Sequence, residues 1–152
     1  MTNPPTIRRI TTESPEYTAL LALRDEVLRI PLGLSLNQFD FSNDATDIIL
    51  CAFAEGENET GEMIGCVMGT PKSNGVLKLR QMAVKHGLQR GGVGKALIAV
   101  AEETARAAGF QTIILHARFV AIGFYEKLDY RREGSMFDEV GIPHIRMSKA
   151  LA

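Results

Sequence analysis

The sequence predicts a mixed α/β fold: a mostly antiparallel sheet of about six to seven strands with helices on both faces. Three observations carry this. Apolar, strand-like segments follow one another three times between residues 48 and 84, separated by turn chemistry, and an antiparallel meander is their simplest arrangement. A strand, a glycine-rich loop, a helix and a further strand then occupy residues 76–116, a unit that crosses over right-handed and leaves its two strands parallel. Finally, 152 residues with 45% hydrophobic and 23% charged side chains suit one soluble domain spanning 1–152. A chain of that length buries roughly two-thirds of its unfolded surface.

Taken in order, Thr6 to Ile10 reads as a short first strand. Ser14-Pro15-Glu16 opens a helix, with Ser14 as cap and Pro15 in the first turn. Leu20, Leu21, Leu23, Val27 and Leu28 recur at helical spacing, and Pro31 and Gly33 stop the helix. Leu36 to Thr46 is polar and irregular, with Phe39 and Phe41 as its inward candidates. Ile48 to Ala54, Met63 to Gly69 and Val76 to Val84 form the meander. Its turns lie at Glu55–Glu62 and Pro71–Gly75. Val93, Ala96, Leu97, Val100, Ala101, Thr104 and Ala108 mark one helix face, and Gly109 suits the C-terminal cap. Thr112 to His116 is a β-branched strand, Val120 to Leu128 a shorter helix, and Tyr130 to Gly134 with His144 to Ser148 a closing strand pair.

Seventeen basic against eighteen acidic residues leave a net charge of −1, which argues against nucleic acid as the main partner. No apolar run reaches the ~20 residues that span a bilayer, so no membrane partner is expected. Met1 to Pro5 lacks a basic stretch followed by an apolar one, so no signal peptide is expected. Cys51 and Cys66 sit in apolar segments, the setting of buried, reduced thiols in a cytoplasmic protein. The two cysteines and three histidines have no metal-ligand spacing, and no metal is expected.

The most informative stretch is Leu88-Gln89-Arg90-Gly91-Gly92-Val93-Gly94-Lys95, between a strand and a helix. It fails as a P-loop, because Gln89 stands where the first Gly belongs and Ala96 where Ser or Thr follows Lys. It fails as a dinucleotide fingerprint, because Leu97 replaces the third Gly and Thr112 to His116 offers no carboxylate. What remains is a helix N-terminus, which attracts anions, fronted by three glycines that allow close approach to the main chain. Arg90 and Lys95 add charge from the sides.

Gln89-x-x-Gly92-x-Gly94, directly after Leu79-Arg80-Gln81-Met82-Ala83-Val84, resembles the acetyl-CoA-binding motif of the GNAT superfamily of N-acetyltransferases. Ala121-x-x-Phe124-Tyr125-Glu126-Lys127-Leu128-x-Tyr130 is similar to that family's second signature. The ending Phe137-x-Glu139-x-Gly141-Ile142-Pro143-His144-x-x-Met147 resembles a group of small bacterial members. This resemblance implies acetyl-CoA as cosubstrate and a primary amine of a small molecule or peptide as acceptor. A second copy of the chain is an admissible partner. It also implies that the two parallel strands splay apart, with the thioester in the gap. Residues Gln89, Arg90, Gly91, Gly92, Val93, Gly94 and Lys95 would hold the pyrophosphate. Main-chain groups of Met82, Ala83 and Val84 would meet the pantetheine arm, and Phe124 would line the coenzyme site. Tyr125 would stand near the sulfur as acid. Two departures stand out: Arg118 where many members carry Asn, and Asp129 where the Tyr-bearing helix usually ends in Gly. A coenzyme-binding sensor without acceptor chemistry is the competing class.

The chemistry sets requirements on both sides of the transfer. A thiol at ~8.5 and a tyrosine at ~10 make full proton transfer to sulfur uphill by ~2 kcal/mol, so Tyr125 acts as a hydrogen-bond donor. An amine at ~10.4 is neutral at pH 7 only at a cost of ~4.6 kcal/mol, which calls for a base. His144, opening the last strand, is the first candidate for that role and Glu139 a third. His116 lies between them, lining the substrate side but closing an apolar strand as a structural histidine does. His86 lies just before the glycine loop. Arg24 and Gln81 are further candidates for contact with the acceptor, although Arg24 and Arg29 also suit a solvated helix face.

Overall fold

The computed structural model describes residues 5–29, 44–54, 61–89 and 91–151. The described elements are β1 (Thr6–Ile10), α1 (Tyr17–Arg24), β2 (Ile48–Phe53), β3 (Met63–Pro71), β4 (Val76–Val84), α2 (Val93–Ala107), β5 (Thr112–Arg118), α3 (Ile122–Glu126), β6 (Arg131–Glu139) and β7 (Ile142–Ala150). The strands form one sheet in the order β1-β2-β3-β4-β5-β7-β6, mostly antiparallel, with β4 and β5 parallel as the crossover predicts. No helix among the described residues is long and apolar enough to cross a membrane. Two compact units divide the chain: residues up to Thr70 with Gln81–Ala101, and Pro71–Arg80 with the residues from Glu102 on. Both β4 and α2 therefore contribute to each unit.

In the first unit, β1 pairs antiparallel with β2 from Thr6↔Phe53 to Ile10↔Ile49, and β2 with β3 from Ile48↔Gly69 through Cys51↔Cys66. Every residue of β2 is buried, as are all of β3 except Pro71. Leu20 and Leu23 of α1 join Ile10, Ile49, Phe53, Met63 and Met68 in the core, with Val27 and Leu28 packed against it. Both cysteines are free and buried, and burial, reinforced by Cys66, pushes the Cys51 thiol up to about 12.

The start of α1 differs from expectation. Ser14 is not the helix cap, because its hydroxyl accepts the upstream Thr11 N–H at 2.9 Å. Its carbonyl accepts Tyr17 N–H at 3.0 Å, and the helix begins at Tyr17 with Glu16 in the cap position. After Arg24 the helix widens into a π-helical stretch, Asp25–Arg29. The expected stop at Pro31 and Gly33, the inward placement of Phe39 and Phe41, and the tip of the 55–62 turn lie outside the described residues.

The first half of α2 docks close against β3. A Cβ on Gly65 would stand 2.9 Å from Val93 Cγ1, 3.1 Å from Leu97 Cδ1 and 3.2 Å from the carbonyl oxygen of Ala83. The missing side chain thus sets how near the start of α2 comes to β3. Gly65→Ala is expected to lower stability by about 1–3 kcal/mol, seen as a lower urea midpoint at unchanged slope.

In the second unit, β4 and β5 pair from Val76↔Thr112 to Leu79↔Leu115. β5 pairs antiparallel with β7 from Thr112↔Ala150 to Arg118↔His144, and β7 with β6. The β6 ladder shifts register between Glu133 and Phe137, a bulge at which Gly134 has φ 73°. β6 and β7 are joined at Val140 and Gly141, both with positive φ (47° and 75°), as tight two-residue hairpins require.

The end of α2 closes as its sequence suggests. Gly109 has φ 90°, its N–H donates to Arg106 O at 3.1 Å, and Phe110 N–H donates to Ala105 O at 2.9 Å. The helix face is shifted from the predicted one: Ile98 and Ala105 are buried, whereas Ala108 is exposed. The predicted helix 120–128 is shorter, since Phe119–Ala121 form a 3₁₀ turn ahead of α3. Asp129 takes a left-handed conformation, φ 73°, of the kind that favours glycine.

Candidate active site

The glycine-rich segment lies wholly in the first unit, except Arg90, which is outside the described residues. Ala96 N–H donates to Gly92 O at 3.0 Å, the first bond of the α2 ladder. Gly92 is therefore the cap. The N–H groups of Gly92, Val93, Gly94 and Lys95 have no intrahelical acceptor and carry the positive end of the helix dipole. Gly92 has φ 87°, and a Cβ there would meet nothing within 4 Å, so the conformation rather than the space requires glycine.

Two expected coenzyme contacts are modified. Gly91 N–H donates to Leu88 O at 3.2 Å, so it shapes the loop from within. Gln89 Nε2 donates to Val84 O at 3.1 Å, so its side chain ties the loop to the end of β4. Lys95 is exposed at the first turn. Ahead of the loop, Gln81 interrupts β4 with a left-handed residue, φ 55°, and its carbonyl accepts the Cys66 thiol at 3.3 Å. Simple alternation therefore does not describe Gln81; Met82 and Val84 are half-buried, Ala83 buried.

The solvated helix face expected for Arg24 is corrected by the structure. Arg24 is fully buried, and its Nη1 lies 2.9 Å from Asp44 Oδ2, which also accepts the Tyr17 hydroxyl at 2.6 Å. A guanidinium so enclosed is an internal tie between α1 and the segment at Asp44, not a surface group waiting for substrate.

The other candidates lie in the second unit, in two groups. Tyr125 is buried, with edge contacts to Phe124 (ring centroids 5.0 Å) and Tyr130 (5.8 Å). Burial pushes its phenol up to about 12. Among the described residues its hydroxyl has no hydrogen-bond partner. Phe124 is partly exposed beside it. Tyr130 is anchored from below: its hydroxyl donates to Glu102 at 2.9 Å, and Lys149 Nζ lies 2.9 and 3.2 Å from the same carboxylate. Burial, then Glu102, drives the Tyr130 phenol far above its usual range. Sequence reasoning missed this support because its members are 28 and 47 residues apart and share no helical or strand spacing.

The second group unites all three candidate bases. His116 Nδ1 lies 3.2 Å from Glu139 Oε1, and His144 Nε2 lies 3.5 Å from Glu139 Oε2. The register explains this. Arg146 faces His116, so His144 lies diagonally beside it on the same side of the sheet. Phe137 faces His144 and Glu139 faces Ile142, which brings both β6 side chains to that side as well. Phe137 stacks on His144 (centroids 6.1 Å, 25°) and meets His116 edge-on (5.0 Å, 77°). His144 is 5% exposed and its Nδ1 lies 2.8 Å from Ile142 O. Burial holds the Lys78 ammonium below the usual lysine range, against the pull of Glu139. Among the described residues, no group of three or more His, Cys, Asp or Glu is arranged to hold a metal.

Comparisons with known proteins agree in direction. A family model described as the acetyltransferase (GNAT) domain matches residues 51–151. An uncharacterised protein of Bacillus subtilis (strain 168), YyaT, is 28% identical over 149 residues, 96% of each chain. The crystal structure of a candidate N-acetyltransferase from Lactobacillus plantarum superposes with a TM-score of 0.84 at 26% identity, covering 99% of this chain and 100% of that one. An aminoglycoside 6'-N-acetyltransferase complexed with coenzyme A shares the fold at a TM-score of 0.72 and 17% identity, over 97% of this chain and of that one.

Proposed function

Since the chain belongs to the GNAT acetyltransferase family, we propose that it transfers an acetyl group from acetyl-CoA to a primary amine. The acceptor is a small molecule or peptide, and its nitrogen attacks the thioester carbonyl directly. The observation that carries this reading is the cap at Gly92, which leaves four consecutive N–H groups at the start of α2 without intrahelical acceptors, directly after β4. A pyrophosphate is the group those donors suit. The coenzyme A complex of the aminoglycoside 6'-N-acetyltransferase, a neighbour in fold, supports the same donor.

On this reading the residues Gln89 to Lys95 cradle the pyrophosphate, with Gly92 to Lys95 supplying the main-chain donors. Met82, Ala83 and Val84 present main-chain groups to the pantetheine arm, and Phe124 covers part of the coenzyme. As the amine attacks, the C–N bond forms and the C–S bond breaks, and charge gathers on sulfur. Tyr125 donates a hydrogen bond to that sulfur. A phenol at about 12 against a thiol at ~8.5 makes complete proton transfer uphill by about 5 kcal/mol. The thiolate therefore leaves as an anion, stabilised by the hydroxyl, and is protonated afterwards from solvent.

Thermal denaturation with acetyl-CoA, coenzyme A and ATP tests the donor. At about 100 times Kd, acetyl-CoA and coenzyme A are expected to raise Tm by roughly 5–10 °C. ATP alone is expected to give a smaller shift. Stabilisation by ATP without any by acetyl-CoA would overturn the reading. Thiol release from acetyl-CoA with a panel of primary amines tests the transfer, and tight coenzyme binding with no turnover would mark a sensor instead.

A further inference from the structure

We infer that His116 Nε2, not His144, accepts the proton of the attacking amine, with Glu139 orienting it. The inference rests on the acyl transfer proposed above and assigns its base.

The hydrogen-bond partners decide between the two imidazoles. A carbonyl oxygen only accepts, so the 2.8 Å contact between His144 Nδ1 and Ile142 O requires the proton on Nδ1. The other nitrogen of His144 faces Glu139 at 3.5 Å, beneath the stacked ring of Phe137. With the proton on Nδ1, the lone pair of neutral His144 lies on Nε2, but its side chain is only 6% exposed. That lone pair is enclosed by the protein rather than turned to a substrate.

His116 has the complementary arrangement. Its Nδ1 donates to Glu139 Oε1 at 3.2 Å, and its side chain is 26% exposed. Among the described residues its Nε2 has no partner. A carboxylate on one imidazole nitrogen fixes the tautomer that leaves the other as a lone pair, and it stabilises the imidazolium formed on protonation. Position agrees with this role. His116 is the first residue of β5 beyond the last rung of the parallel ladder, Leu79↔Leu115.

The step balances without a further reactant. The amine nitrogen forms the bond to the acetyl carbon and its proton passes to His116 Nε2. The C–S electron pair stays with sulfur, and the imidazolium returns its proton to solvent. The charged groups on this side of the sheet, each able to move the pH dependence, are Lys78 and Arg80 on β4, Arg118 on β5, Arg131, Glu133 and Glu139 on β6, and His144 and Arg146 on β7.

His116→Asn is the informative change, because the Asn amide reproduces the Nδ1–H donor to Glu139 and lacks Nε2. With acetyl-CoA and the best amine of a panel (L-lysine, spermidine, glucosamine and short peptides), kcat is expected to fall about 10²- to 10³-fold. KM for acetyl-CoA stays unchanged, the acidic limb of the pH profile disappears, and imidazole added to His116→Ala restores turnover. His144→Gln is expected to weaken kcat less and to keep the acidic limb. Nitrogen-15 imidazole spectra of the free protein at neutral pH are expected to show His116 protonated on Nδ1 and bare on Nε2. Turnover by wild type that survives in His116→Asn, or a His116 bare on Nδ1, would overturn the assignment alone. A wild type that turns over no amine would remove the acyl transfer and the assignment together.

Discussion

Tyr125→Phe lowers kcat about 10- to 100-fold while leaving the thermal shift with acetyl-CoA intact. The size follows from the role. A single donor aimed at charge that develops only in the transition state contributes up to about 10²–10³ in rate, and a thiolate needs less help than an alkoxide. The ring is retained, so its contacts with Phe124 and Tyr130 persist and the fold is preserved. Acid catalysis and hydrogen bonding make different forecasts for pH. With its phenol at about 12, Tyr125 keeps its proton throughout the working range. The profile of kcat then shows no alkaline limb from this residue below about pH 11. Stability follows the same sign: the raised value in the folded protein, against ~10 unfolded, means a contribution complete below pH 10 and lost as pH rises through the folded value. An equal fall in kcat and in coenzyme affinity on Tyr125→Phe would instead make the residue a packing element.

Asp44→Ala has the largest expected effect on stability, a loss of about 3–5 kcal/mol. It removes an acceptor of the fully buried Arg24 guanidinium and of the Tyr17 hydroxyl at once. Breaking one member of a buried ion pair costs more than the pair contributed. For a chain of this size the change lowers Tm by roughly 10 °C. The double change Arg24→Met with Asp44→Leu is expected to recover much of the loss, because it withdraws both charges together. Calorimetry of the two variants checks both statements.

These two predictions also mark where the sequence was legible. Strand limits read from turn chemistry and β-branched runs, as at Thr6–Ile10 and Val76–Val84, agree with the structure, because the signals are local. So does the close of α2 at Gly109, since one glycine at the end of a periodic run specifies its own bonds. Arg24 was misjudged for the opposite reason. Its pairing with Asp44 joins residues 20 apart, the second in a polar segment with no periodicity. The same limit governed the histidines. Each of His116, Glu139 and His144 was recognisable as a titratable group. Which of them touch follows from the β5–β7 and β6–β7 registers, and which nitrogen of His116 stays free follows from the Glu139 carboxylate on the other. Ser14 shows a smaller version: a hydroxyl can serve the N–H before it or after it, and the sequence does not distinguish the two.

The bulge in β6 bears on how the protein behaves in concentrated solution. β6 is the last strand of the sheet, nine residues long and exposed almost throughout. A straight edge of that length is a template onto which another chain can crystallise its own strand, the first step toward fibres and precipitates. The register shift around Gly134 breaks the template in its middle, so that neither half offers a run long enough to hold a foreign strand. The sheet can therefore end in an exposed strand, and the same strand delivers Glu139 to the histidines.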